Sequence, residues 1–212
     1  TDHFLDNSQI HYLKKVLKIK EGEPLFIHNG VGDRYVCTFD GKGAVRINDL
    51  ITKKRKFSIT LLAPVLKKNQ LEFMLQKSVE IGVENIYLYI SEKSKHSFNL
   101  EKEEKKMKRY DDIITAAFLQ SENFYKPNLN IVRSIKDFNF DTFSQIIVLD
   151  QFSDDPLDKE VSCDLVISGG EYGFDGREMK IISKNKASSF NLGENILRAE
   201  TAPLVALSIL NI

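Results

Sequence analysis

Two glycine-bearing turns, each directly after a short apolar run, set the strongest constraint on how this chain can fold. The turns are residues 169–173 (GGEYG) and residues 192–198 (LGENILR). Short apolar runs followed by turn residues are typical of buried strands. Glycines at the carboxyl ends of such strands leave bare backbone at the sheet edge, where open α/β sheets bind small ligands. We therefore expect the two turns to form two walls of one pocket.

The same alternation of strands and helices extends back to residue 57. Strands are predicted at residues 57–62, 86–90, 129–132, 146–149, 165–167 and 188–192. Helices are predicted at residues 69–82, 101–121 and 175–183, with a last apolar helix after the N-cap residue Thr201. This order predicts a mostly parallel sheet covered on both faces.

Two of the predicted helices carry specific expectations. Asn69 and Glu72 have the spacing of a capping box, Gly82 is placed to end that helix, and one face is expected to be buried. The members of that face are Leu71, Met74, Leu75, Ser78 and Val79. The charged start of helix 101–121 is expected to be a solvated face, while its later part buries Met107, Tyr110, Ile114 and Ala117.

Residues 1–56 show a different pattern. A helix at residues 8–18 should expose Lys14, Lys15 and Lys18, and short strands follow at residues 24–28, 34–39 and 43–47, separated by turn signals. We expect a small β-barrel-like module here, and we place the domain boundary so that the domains are residues 1–56 and 57–212.

Net charge also differs between residues 1–56 and residues 57–212. The formal net charge of the chain is zero, but residues 1–56 contain 11 Lys and Arg against 7 Asp and Glu. This excess suits a polyanion such as RNA, although the charge alone leaves nucleic-acid binding a minority interpretation. The basic run at residues 53–56 is either a solvated linker or part of an RNA-facing patch.

Several classes of function are disfavoured by composition. Cys37 and Cys163 are far apart and the four histidines are scattered, so we expect buried free thiols and neither a metal site nor a disulfide framework. No apolar run reaches the ~20 residues of a membrane helix and no secretory leader is visible, so we expect a cytoplasmic protein without a membrane partner.

The spacing of the glycines narrows the class of ligand that the pocket could bind. Gly169, Gly170, Gly173 and Gly176 fit neither a dinucleotide fingerprint nor a P-loop, so phosphate cradling is not indicated. A pocket lined by backbone suits adenine or adenosine, because amide groups can satisfy the base edge while apolar side chains cover its faces. The candidates for that cover are Leu149, Leu192, Ile196 and Leu197. At this point the alternative, that both turns are only tight connections, stays open.

Four motifs together resemble the RsmE family of ribosomal RNA small subunit methyltransferases. They are residues 73–83 (FMLQKSVEIGV), 90–94 (ISEKS), 169–174 (GGEYGF) and 192–202 (LGENILRAETA). The family is of the SPOUT class and uses S-adenosylmethionine to methylate N3 of a uridine in the decoding region of 16S ribosomal RNA. Residues 11–17 (HYLKKVL) and the β-rich run after them resemble the family's PUA-like front domain.

The resemblance implies a fold, a cofactor and partners. The fold is an N-terminal PUA-like β-barrel domain followed by a SPOUT α/β domain with a deep trefoil knot, and homodimers form through the knotted domain. S-adenosylmethionine would bind in the knot, and the RNA partner is 16S ribosomal RNA or the small subunit. The cofactor-binding residues implied are Leu149, Gly169, Gly170, Glu171, Gly173, Leu192, Gly193, Asn195, Ile196, Leu197 and Thr201.

The chain also departs from the family pattern in its first loop. That loop usually reads GPEGGF, whereas here Gly170 stands in place of the proline and Tyr172 in place of a glycine. Lys93 and the basic positions of the front helix are lysines where arginine is commoner. Charge is therefore kept, but bidentate phosphate contacts are not available.

Three residues are candidates for catalysis. N3 of uracil is protonated at neutral pH, so methyl transfer needs the proton removed or the developing anion stabilised. Arg198 is the first candidate, as a cation that holds a uracil oxygen or a phosphate; Glu171 and Glu200 are candidate bases or orienting groups. The alternatives are an ion pair of Arg198 with Glu194 or Glu200, and a role of Glu200 at the helix N-terminus.

RNA contacts are expected at basic residues of both domains, namely Lys14, Lys15, Lys18, Arg34 and Lys93. Two other functions remain open. One is a non-catalytic RNA-binding or ribosome-assembly protein on the same fold. The other is a SPOUT methyltransferase that acts on a different nucleotide.

Overall fold

A computed structural model describes residues 2–56, 58–94 and 96–211. Its chain divides into two compact units, residues 1–55 and residues 56–212. Each unit has its own buried apolar cluster, as expected where two segments fold around separate cores. The units are therefore described one at a time.

The first unit is a four-stranded antiparallel sheet with one short helix. Its elements are β1 (Asp2–Phe4), α1 (Asn7–His11), β2 (Pro24–His28), β3 (Asp33–Phe39) and β4 (Ala44–Thr52). The strand order is β1-β4-β3-β2. Leu13, Cys37, Phe39 and Val45 form the buried centre, because alternate residues of β3 face the same side of the sheet.

The helix predicted at residues 8–18 is only partly regular. Helix α1 begins with a capping box between Asp6 and Gln9 and ends at His11, and a π-helical turn continues to Val16. Lys18 has a positive φ of 56°, so the helix cannot continue through it. Strand β1 was not predicted, and β4 is longer than the run at residues 43–47 suggested.

The second unit is built on six parallel strands. They are β5 (Thr60–Pro64), β6 (Asn85–Tyr89), β7 (Asn128–Val132), β8 (Ile146–Leu149), β9 (Leu165–Ile167) and β10 (Ser188–Phe190). The sheet order is β10-β8-β9-β5-β6-β7. The helices are α2 (Lys68–Ile81), α3 (Leu100–Glu104), α4 (Met107–Gln120), α5 (Gly176–Lys184) and α6 (Ala202–Leu210). The predicted parallel α/β arrangement is confirmed.

Helix α2 buries the face that its periodicity predicted, and its C-cap Gly82 has the left-handed φ of 104° that glycine adopts easily. The predicted capping box is wrong. The N-cap residue is Lys67, without a side-chain cap. Glu72 instead accepts hydrogen bonds from Arg109 of α4 at 2.8 and 3.1 Å, so a partner distant in sequence holds the carboxylate.

The helix predicted at residues 101–121 is two helices, α3 and α4. The expectation of a fully solvated charged face is wrong at Glu103, which is 3% exposed. Its carboxylate accepts hydrogen bonds from the Tyr110 hydroxyl at 2.7 Å and from Lys106 Nζ at 2.8 Å. These bonds provide the partners that a buried carboxylate requires.

Strand β9 lies inside the sheet and is buried along its whole length. Apolar residues of β5, β6 and β8 join it in two clusters, one on each face. Helix α6 packs beside α2 and buries Pro203, Ala206 and Leu207. Among the residues described, no helix is both long and apolar enough to cross a membrane.

Candidate active site

Three loops meet at the carboxyl edge of the parallel sheet, because β8, β9 and β10 all end there. They surround a cavity of about 790 Å³. One loop follows Leu149, the second follows Ile167, and the third follows Phe190. The two predicted glycine turns are the second and third of these loops, so the structure brings both turns to one cavity as expected.

The loop after β9 is held at both ends. The hydroxyl group of Tyr89 donates a hydrogen bond to the Ser168 carbonyl oxygen at 3.0 Å, and the Gly173 N–H closes a turn onto the Gly170 carbonyl at 2.9 Å. Gly173 has a φ of 65°, which favours glycine. A β-carbon on Gly169 would lie 3.2 Å from the Phe174 ring, so the backbone there is closely packed against that ring.

The loop after β8 is anchored to β10 and the residue after it. The N–H of Asp150 donates to the Phe190 carbonyl at 2.9 Å, and the Ser153 hydroxyl donates to the Ser189 carbonyl at 2.8 Å. The side-chain amide of Asn191 donates to the Ser153 carbonyl at 2.9 Å. These bonds fix the first wall of the cavity against the third.

The loop after β10 turns at Gly193, whose φ is 111°. Its N–H donates to the side-chain oxygen of Asn191 at 2.9 Å. At its far end the N–H groups of Thr201 and Ala202 donate to the Arg198 carbonyl at 2.9 and 3.0 Å. This turn leads into α6 and fixes the backbone of Arg198, while its side chain extends into solvent.

The charged residues of the cavity differ strongly in exposure. The Arg198 side chain is 82% exposed and lies 3.9 Å from the carboxylate of Glu200, whose side chain is 9% exposed. A pair this long and this exposed on one side contributes little to stability. Glu171 forms a 3.3 Å ion pair with Lys67.

Glu200 does not act as a cap for α6. Its carboxylate accepts a hydrogen bond from Nε2 of Gln70, on α2, at 3.1 Å. Thr201 occupies the N-cap position but makes no side-chain cap bond. Glu200 still stands directly before the N-cap residue of α6, so the alternative role of its charge near the helix N-terminus stays open.

The expected RNA-binding residues are found in both units. In the first unit Lys14, Lys15 and Lys18 are exposed, and the Arg34 guanidinium lies 4.9 Å from the centre of the Phe26 ring. In the second unit Lys93 lines the cavity and donates from Nζ to the Tyr172 carbonyl at 2.5 Å.

Nearly all the predicted site residues of the second unit line this cavity. They are Lys93, Leu149, Gly169, Gly170, Glu171, Gly173, Leu192, Gly193, Asn195, Ile196, Leu197, Arg198 and Glu200. Thr201 does not line it, although its neighbours Glu200 and Ala202 do.

Sequence reasoning missed other lining residues, among them Gln70, Phe152, Phe174 and Met179. Phe152 could have been found from its place just after β8. Gln70 lies on a helix far away in sequence and carried no local signal.

The thiols have no part in this site. Burial raises the pKa of Cys37, and burial raises the pKa of Cys163 to about 12. Thiols of this kind are poor nucleophiles at neutral pH. Within residues 2–56, 58–94 and 96–211 no group of three or more His, Cys, Asp and Glu side chains is placed to hold a metal ion.

Comparison with known proteins gives matches over both units. An RNA methyltransferase domain matches residues 53–211, and an RNA methyltransferase PUA domain matches residues 5–48. A ribosomal RNA small subunit methyltransferase E from Mesomycoplasma hyopneumoniae is 32% identical over 164 residues, 72% of this chain and 69% of that protein. The protein of that name from Buchnera aphidicola subsp. Schizaphis graminum is 27% identical over 219 residues, 98% of this chain and 89% of its own length.

Solved structures share the fold. A methyltransferase structure from Legionella pneumophila, determined with bound S-adenosylmethionine, is 27% identical to this chain and has a TM-score of 0.84. The alignment covers 99% of this chain and 91% of that one.

Proposed function

The chain belongs to the ribosomal RNA small subunit methyltransferase E family, and we propose that it transfers the methyl group of S-adenosylmethionine to N3 of a uridine in the decoding region of 16S ribosomal RNA. The family and the fold class expected from the motifs, a PUA-like domain followed by a parallel α/β SPOUT domain, are confirmed. The deep trefoil knot is part of the proposal. The observation that carries the proposed activity is that the family's loop motifs converge on one cavity.

The cavity fits the cofactor in size and chemistry. About 790 Å³ is within the range of small-molecule sites. The backbone amide at Gly169 and the carbonyl oxygen of Gly193 offer partners for an adenine edge, while Leu149, Leu192 and Leu197 offer apolar cover. Support also comes from the Legionella relative, which binds S-adenosylmethionine on the same fold.

Bound S-adenosylmethionine would supply an electrophilic methyl group, and the protein's task is to present the uracil to it. Methyl transfer is an in-line displacement in which positioning matters most. We propose that Arg198 binds the uracil oxygen on which negative charge develops as N3 loses its proton. Its exposed side chain and its weak pairing with Glu200 leave the guanidinium available for a substrate.

Glu171 is the better placed of the two candidate bases. It lies in the loop after β9 and lines the cavity, and its carboxylate is 3.3 Å from the ammonium group of Lys67. Glu200 is nearly buried and already bonded to Gln70, which suits a positioning or binding role better than proton removal.

We propose that the first domain, residues 1–56, holds the RNA. Lys14, Lys15 and Lys18 present three exposed positive charges near one another in sequence. Arg34, which lies over Phe26, and Lys93 at the cavity would add contacts to phosphate or bases. Residues 57–212 would then form the catalytic domain.

We also propose a homodimer that forms through α6, and a cytoplasmic location, where ribosomal RNA is found. The half-buried residues Leu204, Val205 and Leu210 of this apolar helix give it a surface that a second copy could cover. Sedimentation of the purified chain tests this part of the proposal.

Calorimetric titration with S-adenosylmethionine tests the enzyme proposal against its main alternative. A methyltransferase binds one cofactor per chain, whereas a ribosome-assembly protein on this fold has no need of it. A protein that binds 16S ribosomal RNA but shows no heat of binding with the cofactor would support the non-catalytic alternative.

A further inference from the structure

The corner of the cavity between α2 and the start of α6 contains a pair of polar side chains that the mechanism above does not use. Gln70 and Glu200 both line the cavity, and Nε2 of Gln70 donates to the Glu200 carboxylate at 3.1 Å. The two residues are 130 positions apart in sequence. The contact therefore forms only when α2 and α6 have packed together.

The bond to Glu200 fixes the orientation of the Gln70 amide. An ionised carboxylate only accepts hydrogen bonds, so the NH₂ group of Gln70 must face it and the amide oxygen must face away. That oxygen, Oε1, is buried and has no hydrogen-bond partner within the part of the chain that is described. Oε1 is therefore out of reach of a ligand in the cavity, and the NH₂ group is the part of Gln70 that acts on the site.

The Glu200 carboxylate also has few hydrogen-bond donors around it. An ionised carboxylate has about four acceptor positions. Within the described residues the side chain of Glu200, 9% exposed, receives one hydrogen bond, from Gln70, and Arg198 approaches only to 3.9 Å. The corner thus combines a negative charge with several unused acceptor positions on a side chain that is largely buried.

We propose that Glu200, oriented by Gln70, binds a primary ammonium group, and that this group is the α-ammonium of S-adenosylmethionine; this assignment rests on the proposed function. An ammonium group is compact, carries one positive charge and has three N–H donors. It would fill acceptor positions that Gln70 leaves unused on the Glu200 carboxylate and would compensate the negative charge there. The adenine amino group is neutral with two donors, and uracil has no cationic group, so neither compensates the carboxylate charge.

The arrangement also leaves Arg198 available to the RNA. The cofactor ammonium compensates the charge of Glu200 from inside the cavity, so the guanidinium need not fold inward to do so. Binding of the cofactor would in this way help to keep Arg198 directed at the substrate. Gln70 is then a positioning residue that orients Glu200.

A comparison of two ligands tests the assignment. S-adenosylhomocysteine carries the amino-acid portion, and 5′-methylthioadenosine is the same nucleoside thioether without it. We expect calorimetry to show that Gln70→Leu weakens binding of S-adenosylhomocysteine about 10-fold or more, as for the removal of a hydrogen bond to a charged group. Binding of 5′-methylthioadenosine should change less than about 2-fold.

Two further variants complete the experiment. Gln76→Leu makes the same substitution at an exposed position of α2 and should bind both ligands as the wild-type protein does. Glu200→Gln keeps the shape but removes the charge, and should weaken S-adenosylhomocysteine selectively. Thermal unfolding of each variant shows whether it is folded before titration.

The outcomes separate this inference from the function on which it rests. If Gln70→Leu weakens the binding of both ligands equally, or of neither, the ammonium assignment is overturned while the cofactor site stands. If the wild-type protein binds neither ligand, the proposed function fails, and the inference with it. If Gln70→Leu loses affinity for S-adenosylhomocysteine but keeps its affinity for 5′-methylthioadenosine, both the ammonium assignment and the proposed function are supported.

Discussion

The hydroxyl group of Tyr89 donates a hydrogen bond of 3.0 Å to the carbonyl oxygen of Ser168, across the intervening strand β5. Tyr89 ends β6, and Ser168 is the residue before the glycine loop of the cavity. Both residues are buried. Burial, together with the nearby charge of Glu178, raises the pKa of Tyr89 well above its usual value, so the hydroxyl remains a donor. The loop is thus tied to the centre of the sheet.

Removal of this donor should destabilise the protein. In Tyr89→Phe the Ser168 carbonyl loses a buried partner, and we expect the free energy of unfolding to fall by about 1–3 kcal/mol. Urea titration measures this. Tyr87→Phe is the matched control, because Tyr87 packs edge to face on Phe138 and its hydroxyl has no partner in the described part of the chain. Equal losses in the two variants would contradict the role given to Tyr89.

Adjacent glycines of the loop should respond differently to alanine. A β-carbon at Gly169 would lie 3.2 Å from the Phe174 ring, whereas at Gly170 it would meet Pro64 at an ordinary 3.8 Å. We expect Gly169→Ala to displace the ring and to weaken S-adenosylmethionine binding by about 10-fold, the effect of roughly 1.4 kcal/mol. Gly170→Ala should leave the affinity nearly unchanged. Calorimetry on both variants checks this, and a larger loss at Gly170 would contradict the packing described.

Local patterns were enough to predict much of the fold. Helical periodicity identified the buried face of α2, and the need for a left-handed residue identified Gly82 as its end. Runs of apolar residues gave β8 and β9 at their observed bounds. These features depend on residues close in sequence, which is why they could be predicted.

Contacts between distant segments could not be predicted in this way. Glu72 has the spacing of a capping box, but Arg109 binds it across 37 residues. In the sequence Glu103 belongs to a charged run that indicates a solvated face. In the structure Tyr110 and Lys106 donate hydrogen bonds to its buried carboxylate. At the site, the family motifs indicated the loops, whereas Gln70 could not be identified because its partner is 130 residues away.

Arg198 is expected to serve the reaction more than the fold. Its side chain is 82% exposed and its pair with Glu200 is long. We therefore expect Arg198→Ala to lower the rate of RNA methylation by about 100-fold or more, while thermal stability and cofactor affinity change little. Arg177→Ala removes another exposed arginine, which lies outside the cavity, and should keep full activity. Unchanged turnover in Arg198→Ala would exclude the catalytic role.

The lysines of the first unit should govern RNA affinity and its dependence on salt. We expect the triple variant with Lys14, Lys15 and Lys18 changed to Glu to bind 16S ribosomal RNA more weakly. The slope of log affinity against log salt should fall by about 0.7–0.9 for each phosphate that the variant no longer neutralises. Filter binding at several salt concentrations measures both quantities.

A control variant with the same change in charge shows whether RNA binding depends on the lysines of the first unit or only on the net charge of the protein. Lys102, Lys105 and Lys184 are exposed residues of the second unit, and their change to Glu should alter affinity much less. Equal effects of the two triple variants would mean that net charge, and not the first unit, accounts for binding.

Mapping of 3-methyluridine in 16S ribosomal RNA from a strain that lacks this gene tests the central claim most directly. Methylation at N3 blocks the pairing edge of uracil and stops reverse transcription. We expect one stop in the decoding region to disappear in the deletion strain, to return with the wild-type gene and to stay absent with the Arg198→Ala gene. A stop that persists in the deletion strain would contradict the proposed activity.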